Sequence, residues 1–319
     1  MPSPQPQTRH LPRHRPDVAA SPHTPHAYGR AALWMAGAMT GFVSMALAGR
    51  EVARWHDTFE IMTWRSVLGV MIVLGAARIS GQWGALRARN MGLHLIRNLS
   101  HFTGQNLWFA ALTLIPLAQL FALEFSYPIL VTLAAPLVLG ERLTPRGLLA
   151  AGIGFAGVLL VAQPWGKGGL SFGTVLAMLA AVGFAGSALS TKRLTRSAPV
   201  IEILLWLTVM QAVFGAVMMM GDGVWRWPTA ASAPWLALIG VAGLGAHFCM
   251  TRALALAPAS VVIPIDFLRL PLIAALGALL YHENLSIPVI LGGAVILWAN
   301  WINLRNRPDT PQPLPLDET

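Results

Sequence analysis

The chain repeats itself at a constant offset of 142 positions, with no gap between the copies. Ala111-Leu112 returns as Ala253-Leu254, Pro116 as Pro258, Phe125 as Phe267, Leu130 as Leu272, Glu141 as Glu283 and Leu143 as Leu285. The same shift carries Gly41-Phe42 onto Gly183-Phe184, Ala46-Leu47 onto Ala188-Leu189, Glu60 onto Glu202 and Trp64 onto Trp206. It also carries the acid Glu124 onto Asp266. A duplicated unit limits the fold to two like halves, and how the halves meet depends on the solvent around them.

That solvent is lipid. Charged residues make up 11% of the chain, against about 25% in soluble proteins, and the mean hydropathy is strongly positive. Ten apolar runs are long enough to span, since ~20 residues at 1.5 Å each cross a hydrocarbon core of about 30 Å. They lie near 31–49, 60–78, 92–113, 117–139, 146–163, 170–190, 200–220, 232–253, 259–281 and 286–304. Each copy therefore holds five spans, and an odd unit repeated once enters the bilayer upside down. The expected fold is an all-α integral membrane protein of ten transmembrane helices, built as two inverted five-helix repeats. Such repeats are the architecture of alternating-access transporters. The domains are expected at 30–164 and 170–305, with disordered cytoplasmic tails at 1–29 and 306–319.

Lysine and arginine set the orientation. With both termini cytoplasmic, fifteen of them fall on the cytoplasmic side and four (Arg50, Arg54, Lys167, Arg226) on the other. The net charge of +9 thus reads as topology in the cell's inner, plasma membrane. It does not read as a nucleic-acid surface, because the charges are scattered over short loops. Residues 1–28 lack the apolar stretch of a secretory signal. The single cysteine, Cys249, can form neither an intrachain disulfide nor a Cys-based metal site. No metal or cofactor is expected.

Prolines punctuate the helices. Pro116 and Pro258 open spans four and nine, where a missing N–H is harmless. Pro128, Pro136, Pro264 and Pro271 lie deeper in the same spans and are expected to bend them. Thr144 and Ser286 stand as N-caps before spans five and ten. Ala36-Gly37-Ala38, Gly152, Gly154, Gly157 and Gly292-Gly293 suit close helix packing.

Ionisable residues inside the spans point to function, because each costs ~3 kcal/mol or more at the bilayer centre. Glu124 and Asp266 each lie about 12 Å into their spans, from opposite faces, so both approach the midplane where such transporters bind substrate. Arg269 is one turn beyond Asp266. The structural alternative pairs Asp266 with Arg269, and Glu124 with Arg65 or Arg97. Span three adds a stripe of Asn98, His101, Gln105 and Trp108 at helical spacing. Its counterparts in span eight are Gly240, Gly243, His247 and Met250, so the second copy keeps the scaffold without the chemistry. The stripe either lines an asymmetric cavity or supplies interhelical hydrogen bonds. Glu60 and Glu202 begin spans two and seven, where a carboxylate favours the helix dipole. Trp64 and Trp206 suit an interface or a cavity wall. Glu141 and Glu283 hold a loop or close a cavity end.

The runs Ala111-Leu112 to Pro116, Pro128 and Leu139-Gly140-Glu141-Arg142-Leu143, with the echo Ala253-Leu254 to Pro258, Glu283 and Leu285, resemble the drug/metabolite transporter superfamily, specifically its EamA-type ten-span permeases. Arg65 matches a position where that family often has arginine. The likeness covers roughly 30–304 and implies a central cavity between two rocking halves. It leaves the cargo open, since the family carries amino acids, S-adenosylmethionine and nucleotide sugars.

These residues suggest a secondary-active transporter of a small polar metabolite, an amino acid or an amino-acid-derived compound. Arg269 or Arg65 would clamp a carboxylate. Glu124 and Asp266 would take a cation, with Trp108 adding cation–π attraction. The expected substrate-binding set is Glu124, Asp266, Arg269, Arg65, His101, Gln105, Trp108 and Asn98. The partners are a small molecule and membrane lipid. No nucleotide-binding loop is visible. A lipid or lipid-precursor flippase is the alternative. An intramembrane enzyme using His101 and Glu124 has no metal cluster or nucleophile motif to support it.

Overall fold

The computed structural model describes residues 25–140, 143–165, 169–194, 197–223, 225–256 and 265–304. Glu141, Arg142, Lys167, Pro258, Pro264, the first six positions of span nine and most of both tails lie outside the described residues.

Each unit is a run of helices with no strand among the described residues. The first holds α1 (Pro25–Val52), α2 (Thr58–Ile79), α3 (Met91–Leu112), α4 (Leu117–Glu124), α5 (Tyr127–Leu139) and α6 (Pro145–Ala162). The second holds α7 (Phe172–Leu194), α8 (Val200–Asp222), α9 (Ala233–Leu256), α10 (Arg269–Tyr281) and α11 (Ile287–Leu304). Shifted by 142, α5 lands on α10 and α6 on α11 residue for residue. Among the described residues, seven spans are long and apolar enough to cross a membrane. α3 has the length, 22 residues, but carries the polar stripe.

Two expected features differ. α1 starts at Pro25, inside the stretch read as a tail. Hydropathy cannot see this polar first turn, whose N1 position suits proline. Span four is broken rather than bent. α4 ends at Glu124, Phe125 and Ser126 turn, and α5 starts afresh with Pro128 at its second position. The break leaves a carbonyl without a helical partner, and in lipid it must find one. Asn300 on α11 donates to Phe125 O at 2.6 Å. Span nine breaks alike, with a turn at Phe267-Leu268 before α10.

The most extensive contacts all join one unit to the other: α1 with α9, α3 with α7, α2 with α8, and α6 with α11. Exchanging the units turns the first pair into the second and leaves the last two unchanged. That is a two-fold relation, in which each contact surface is met by its own equivalent. Small residues allow the close approach. A Cβ on Gly41 would sit 2.7 Å from Ala242 O, and one on the equivalent Gly183 would sit 2.7 Å from Gly104 Cα. Gly157 and Gly292 meet similarly between α6 and α11. Gly152 meets nothing within 4 Å, so it takes no part in this packing.

The repeat also builds two matching loop clamps. Trp64 Nε1–H donates to Arg226 O at 3.2 Å, and Trp206 Nε1–H donates to Arg87 O at 2.8 Å. Glu60 accepts from the Arg226 N–H at 3.0 Å, and Glu202 accepts from the Arg89 N–H at 3.3 Å. Both glutamates are buried. Glu60 additionally closes a capping box with Asp57 and meets His56 at 3.0 Å. These side chains fix the loops before α3 and α9, which sets the depth of both helices.

Candidate functional site

The broken spans bring the acids together. Glu124 is the last residue of α4 and Arg269 the first of α10. A carboxylate at a helix C-terminus and a cation at an N-terminus each face an unfavourable dipole, so their contact relieves both. Arg269 Nη2 lies 3.3 Å from Glu124 Oε1 and 3.1 Å from Asp266 Oδ2. Trp108 Nε1–H donates to the other Glu124 oxygen at 2.8 Å. Each acid thus has an arginine within reach, and it is the same one; the structural alternative that paired Glu124 with Arg65 or Arg97 is not seen among the described residues. The cluster is closed, with side-chain exposures of 12% for Glu124, 8% for Asp266 and 6% for Arg269.

Aromatic rings box this guanidinium. Its carbon lies 4.7 Å from the centre of Phe42, 5.0 Å from Phe125 and 5.2 Å from Phe121. Guanidinium–ring contacts strengthen as water is excluded. Phe125 meets its repeat mate Phe267 edge to face at 5.5 Å. The sequence reading assigned these rings no role, though a signal was present. Phe42 and Phe125 are two of the few positions whose aromatic side chain recurs at the offset.

The stripe on α3 divides into two parts. Asn98 is engaged: it accepts from Arg97 Nη1–H at 2.7 Å and donates to Trp206 O at 3.0 Å. Trp108 is engaged by Glu124. Among the described residues, two buried atoms here have no hydrogen-bond partner, His101 Nε2 and Gln105 Oε1. His101 Nδ1 reaches only Ser187 Oγ, at 3.4 Å. Its ring lies 6.4 Å from that of His247 on α9, and His247 is 5.3 Å from Phe42. Gln211 on α8, absent from the sequence reading, is also fully buried, and both its amide ends lack a partner among the described residues. Arg65 is buried in α2, with Met62 Sδ as its acceptor at 3.8 Å. A polar group left unpaired in a dry interior is unfavourable, so this middle layer is chemically suited to receive a polar ligand. Among the described residues no group of three or more His, Cys, Asp or Glu side chains could hold a metal ion.

At one end of the bundle the two units are tied together. Arg50, at the end of α1, forms an ion pair with Glu283 and donates to Ile115 O at 3.2 Å. Its guanidinium lies 4.8 Å from the centre of the Tyr281 ring. Glu283 also accepts from the Leu117 N–H at 2.8 Å, at the start of α4. Partners 233 positions apart carry no local sequence signal.

Known proteins match this architecture. The sequence pattern of the EamA-like transporter family fits residues 29–163 and again 171–305. A riboflavin transporter of Brucella anthropi is 32% identical over 251 residues, which cover 77% of this chain and 87% of that protein. A riboflavin transporter of Rhizobium johnstonii is 32% identical over 222 residues, 70% and 73% of the two chains. A pseudopaline exporter of Pseudomonas aeruginosa is 26% identical over 252 residues, 78% and 87%. A crystal structure with 20% identity shares the fold, with a TM-score of 0.61 over 86% of this chain and 96% of that one. The duplicated helical unit, the apolar spans and these relatives lead to one statement: the chain belongs to the EamA-like transporter family and is a multi-pass membrane transporter of a small metabolite, not an enzyme.

Proposed function

We propose that this protein carries a small planar heteroaromatic metabolite, with riboflavin the first candidate, across the bacterial plasma membrane by alternating access. The carrying observation is the middle layer. It combines a ring-lined guanidinium with the unpartnered acceptor and donor atoms of His101, Gln105 and Gln211. Flat rings pack against such walls, and their carbonyl and imide edges meet the polar atoms. The names of two relatives point the same way. In this reading Glu124, Asp266, Arg269, Arg65, His101, Gln105 and Trp108 line the site, and Asn98 positions Arg97.

Alternation follows from the two-fold design. Arg50 and Glu283 join the units at one end, and in this reading their pair closes it. In the sequence, the repeat equivalents of Arg50 and Glu283 are Lys192 and Glu141. Both termini are cytoplasmic on the distribution of lysine and arginine, which puts the Arg50 end on the outer side.

An amino-acid-derived cargo is the second reading, favoured by Arg65, which could clamp a carboxylate. Its ammonium group would have to displace Arg269, since both midplane acids are already engaged. Counterflow in proteoliposomes tests the two without assuming a direction. Vesicles loaded with unlabelled riboflavin should accumulate labelled riboflavin. Counterflow with amino acids and none with riboflavin would hand the cargo to the second reading.

A further inference from the structure

A two-fold relation gives every surface a twin, and at one junction the twins differ. A groove of about 520 Å³ opens where α2 of the first unit meets α8 and α9 of the second. Its walls include Ile72, Ile201 and Leu244. At the offset of 142 these correspond to Phe214, Phe59 and Phe102. The three rings pack together where α8 meets α2 and α3: Phe102 stacks on Phe59 at 6.2 Å and meets Phe214 edge to face at 5.6 Å. The protein's own aromatic side chains thus fill the twin, while three aliphatic ones leave the groove open. Gly245 enlarges it, standing where the other unit has Thr103. A Cβ on Gly245 would meet nothing within 4 Å.

Apart from Ser80 and Gln82, the residues lining the groove are apolar. Ser80 caps the C-terminus of α2, so the polarity collects at one end. From Ile72 to Ser80 the groove follows α2 for ~12 Å, close to the ~15 Å depth of one leaflet's hydrocarbon. α2 and α9 run side by side in the same direction, with Gly240 beside Leu68 and Leu244 beside Gly69. That sets Arg252, one turn beyond the wall residue Phe248, level with the Ser80 end. Its guanidinium carbon lies 5.7 Å from the centre of the Phe248 ring and 5.9 Å from that of Trp34. Arg252 is exposed, and among the described residues no carboxylate lies at ion-pair distance from it. Its counterpart in the first unit is Ala110, so groove and cation are missing together from the twin.

We infer that this groove holds one acyl chain of an anionic glycerophospholipid, with its phosphate on Arg252. The helices around it are apolar spans, so lipid is what meets the opening. An empty apolar hollow forfeits dispersion contacts on one side, and a slender chain restores what three rings supply in the twin. A guanidinium at the polar end matches a phosphate, to which it presents paired N–H donors. Arg78, Arg87 and Arg89 follow at the same end of α2 and add positive charge. On the distribution of lysine and arginine that end is cytoplasmic, so the lipid comes from the inner leaflet. The site lies on the seam between the units, outside the middle layer, and does not rest on the cargo reading.

Native mass spectrometry of the purified full-length protein, titrated with dioleoyl phosphatidylglycerol or dioleoyl phosphatidylcholine, tests the site. The first phosphatidylglycerol should bind about tenfold more tightly than the first phosphatidylcholine, ~1.4 kcal/mol. Arg252→Gln should cut that preference to about threefold or less. Gly245→Phe places a ring in the groove and should weaken the first phosphatidylglycerol by about tenfold. A photolabel needs no variant: phosphatidylglycerol with a diazirine at mid-chain should label the α9 peptide holding Phe248 well above the α3 peptide holding Phe102. Equal affinity for the two lipids, a preference that survives Arg252→Gln, an affinity unmoved by Gly245→Phe, or even labelling of α9 and α3 would each overturn the site. Displacement of the label by riboflavin would make the groove a cargo entrance. A dimer that Gly245→Phe disperses would make it a contact between copies. Either result would overturn the lipid.

Discussion

The loop clamps and the middle layer treat the same repeat in opposite ways. At the clamps it is kept: Glu60 with Trp64 and Glu202 with Trp206 perform one task twice, each tying down the loop before a unit's third helix. In the middle it is broken. α3 presents Asn98, His101 and Gln105 where α9 presents Gly240, Gly243 and His247. Each clamp reaches from one unit to a loop of the other, and exchanging the units turns one clamp into its twin, so duplication preserves it. A cargo site on the two-fold is shared by both units, and a cargo without two-fold symmetry needs different groups on its two sides.

The sharpest way to break this comparison is in the centre. Arg269→Gln leaves Glu124 and Asp266 as uncompensated buried charges, and removing one member of such a buried pair costs about 3–5 kcal/mol. Transport should vanish and thermal stability should fall clearly. Glu124→Gln keeps the shape, retains the Arg269–Asp266 contact and should abolish counterflow while the protein still inserts. Full transport by Glu124→Gln would show that the cluster is only a brace.

A smaller effect separates the two sides of the layer. His101→Ala and Gln105→Ala should weaken binding of the cargo or change its preference more than His247→Ala does, at equal expression. Losing one good hydrogen bond to a ligand is worth about 0.5–1.5 kcal/mol, so the difference should reach a few-fold. Equal effects would mean that the stripe is interhelical glue.

The clamps supply the reverse case. Glu60→Gln and Glu202→Gln should each destabilise the protein by about 1–3 kcal/mol, by weakening a bond to a buried N–H. Glu60 has the larger network, with Asp57 and His56 added, so its variant should lie at the upper end. A large loss at one position and none at the other would deny that the clamps are equivalent.

The repeat, the spans and the pair Asp266–Arg269 were legible in the sequence because each is a short-range or periodic signal. Polar residues among apolar ones also stand out, which is why His101 and Gln105 were visible. What escaped was long-range. Glu124 meets Arg269 across 145 positions, and Arg50 meets Glu283 across 233; no periodicity links them. The break after Glu124 was underestimated as a bend, because the proline signals the loss of a helical bond but not the distant Asn300 that makes a full break tolerable. Gln211 was missed because one amide in an apolar helix looks the same whether it faces lipid or the core. The aromatic box lay within reach, since Phe42 and Phe125 recur, but apolar recurrence reads first as packing.

Inversion of the second unit underlies the whole account, for on it Glu124 and Asp266 are expected to reach the midplane from opposite faces. Sidedness reporters fused after residue 166 and after residue 307 test it directly. The account predicts opposite sides of the membrane, with the fusion after 307 in the cytoplasm. The same side for both would make the units parallel and contradict a shared site at the midplane.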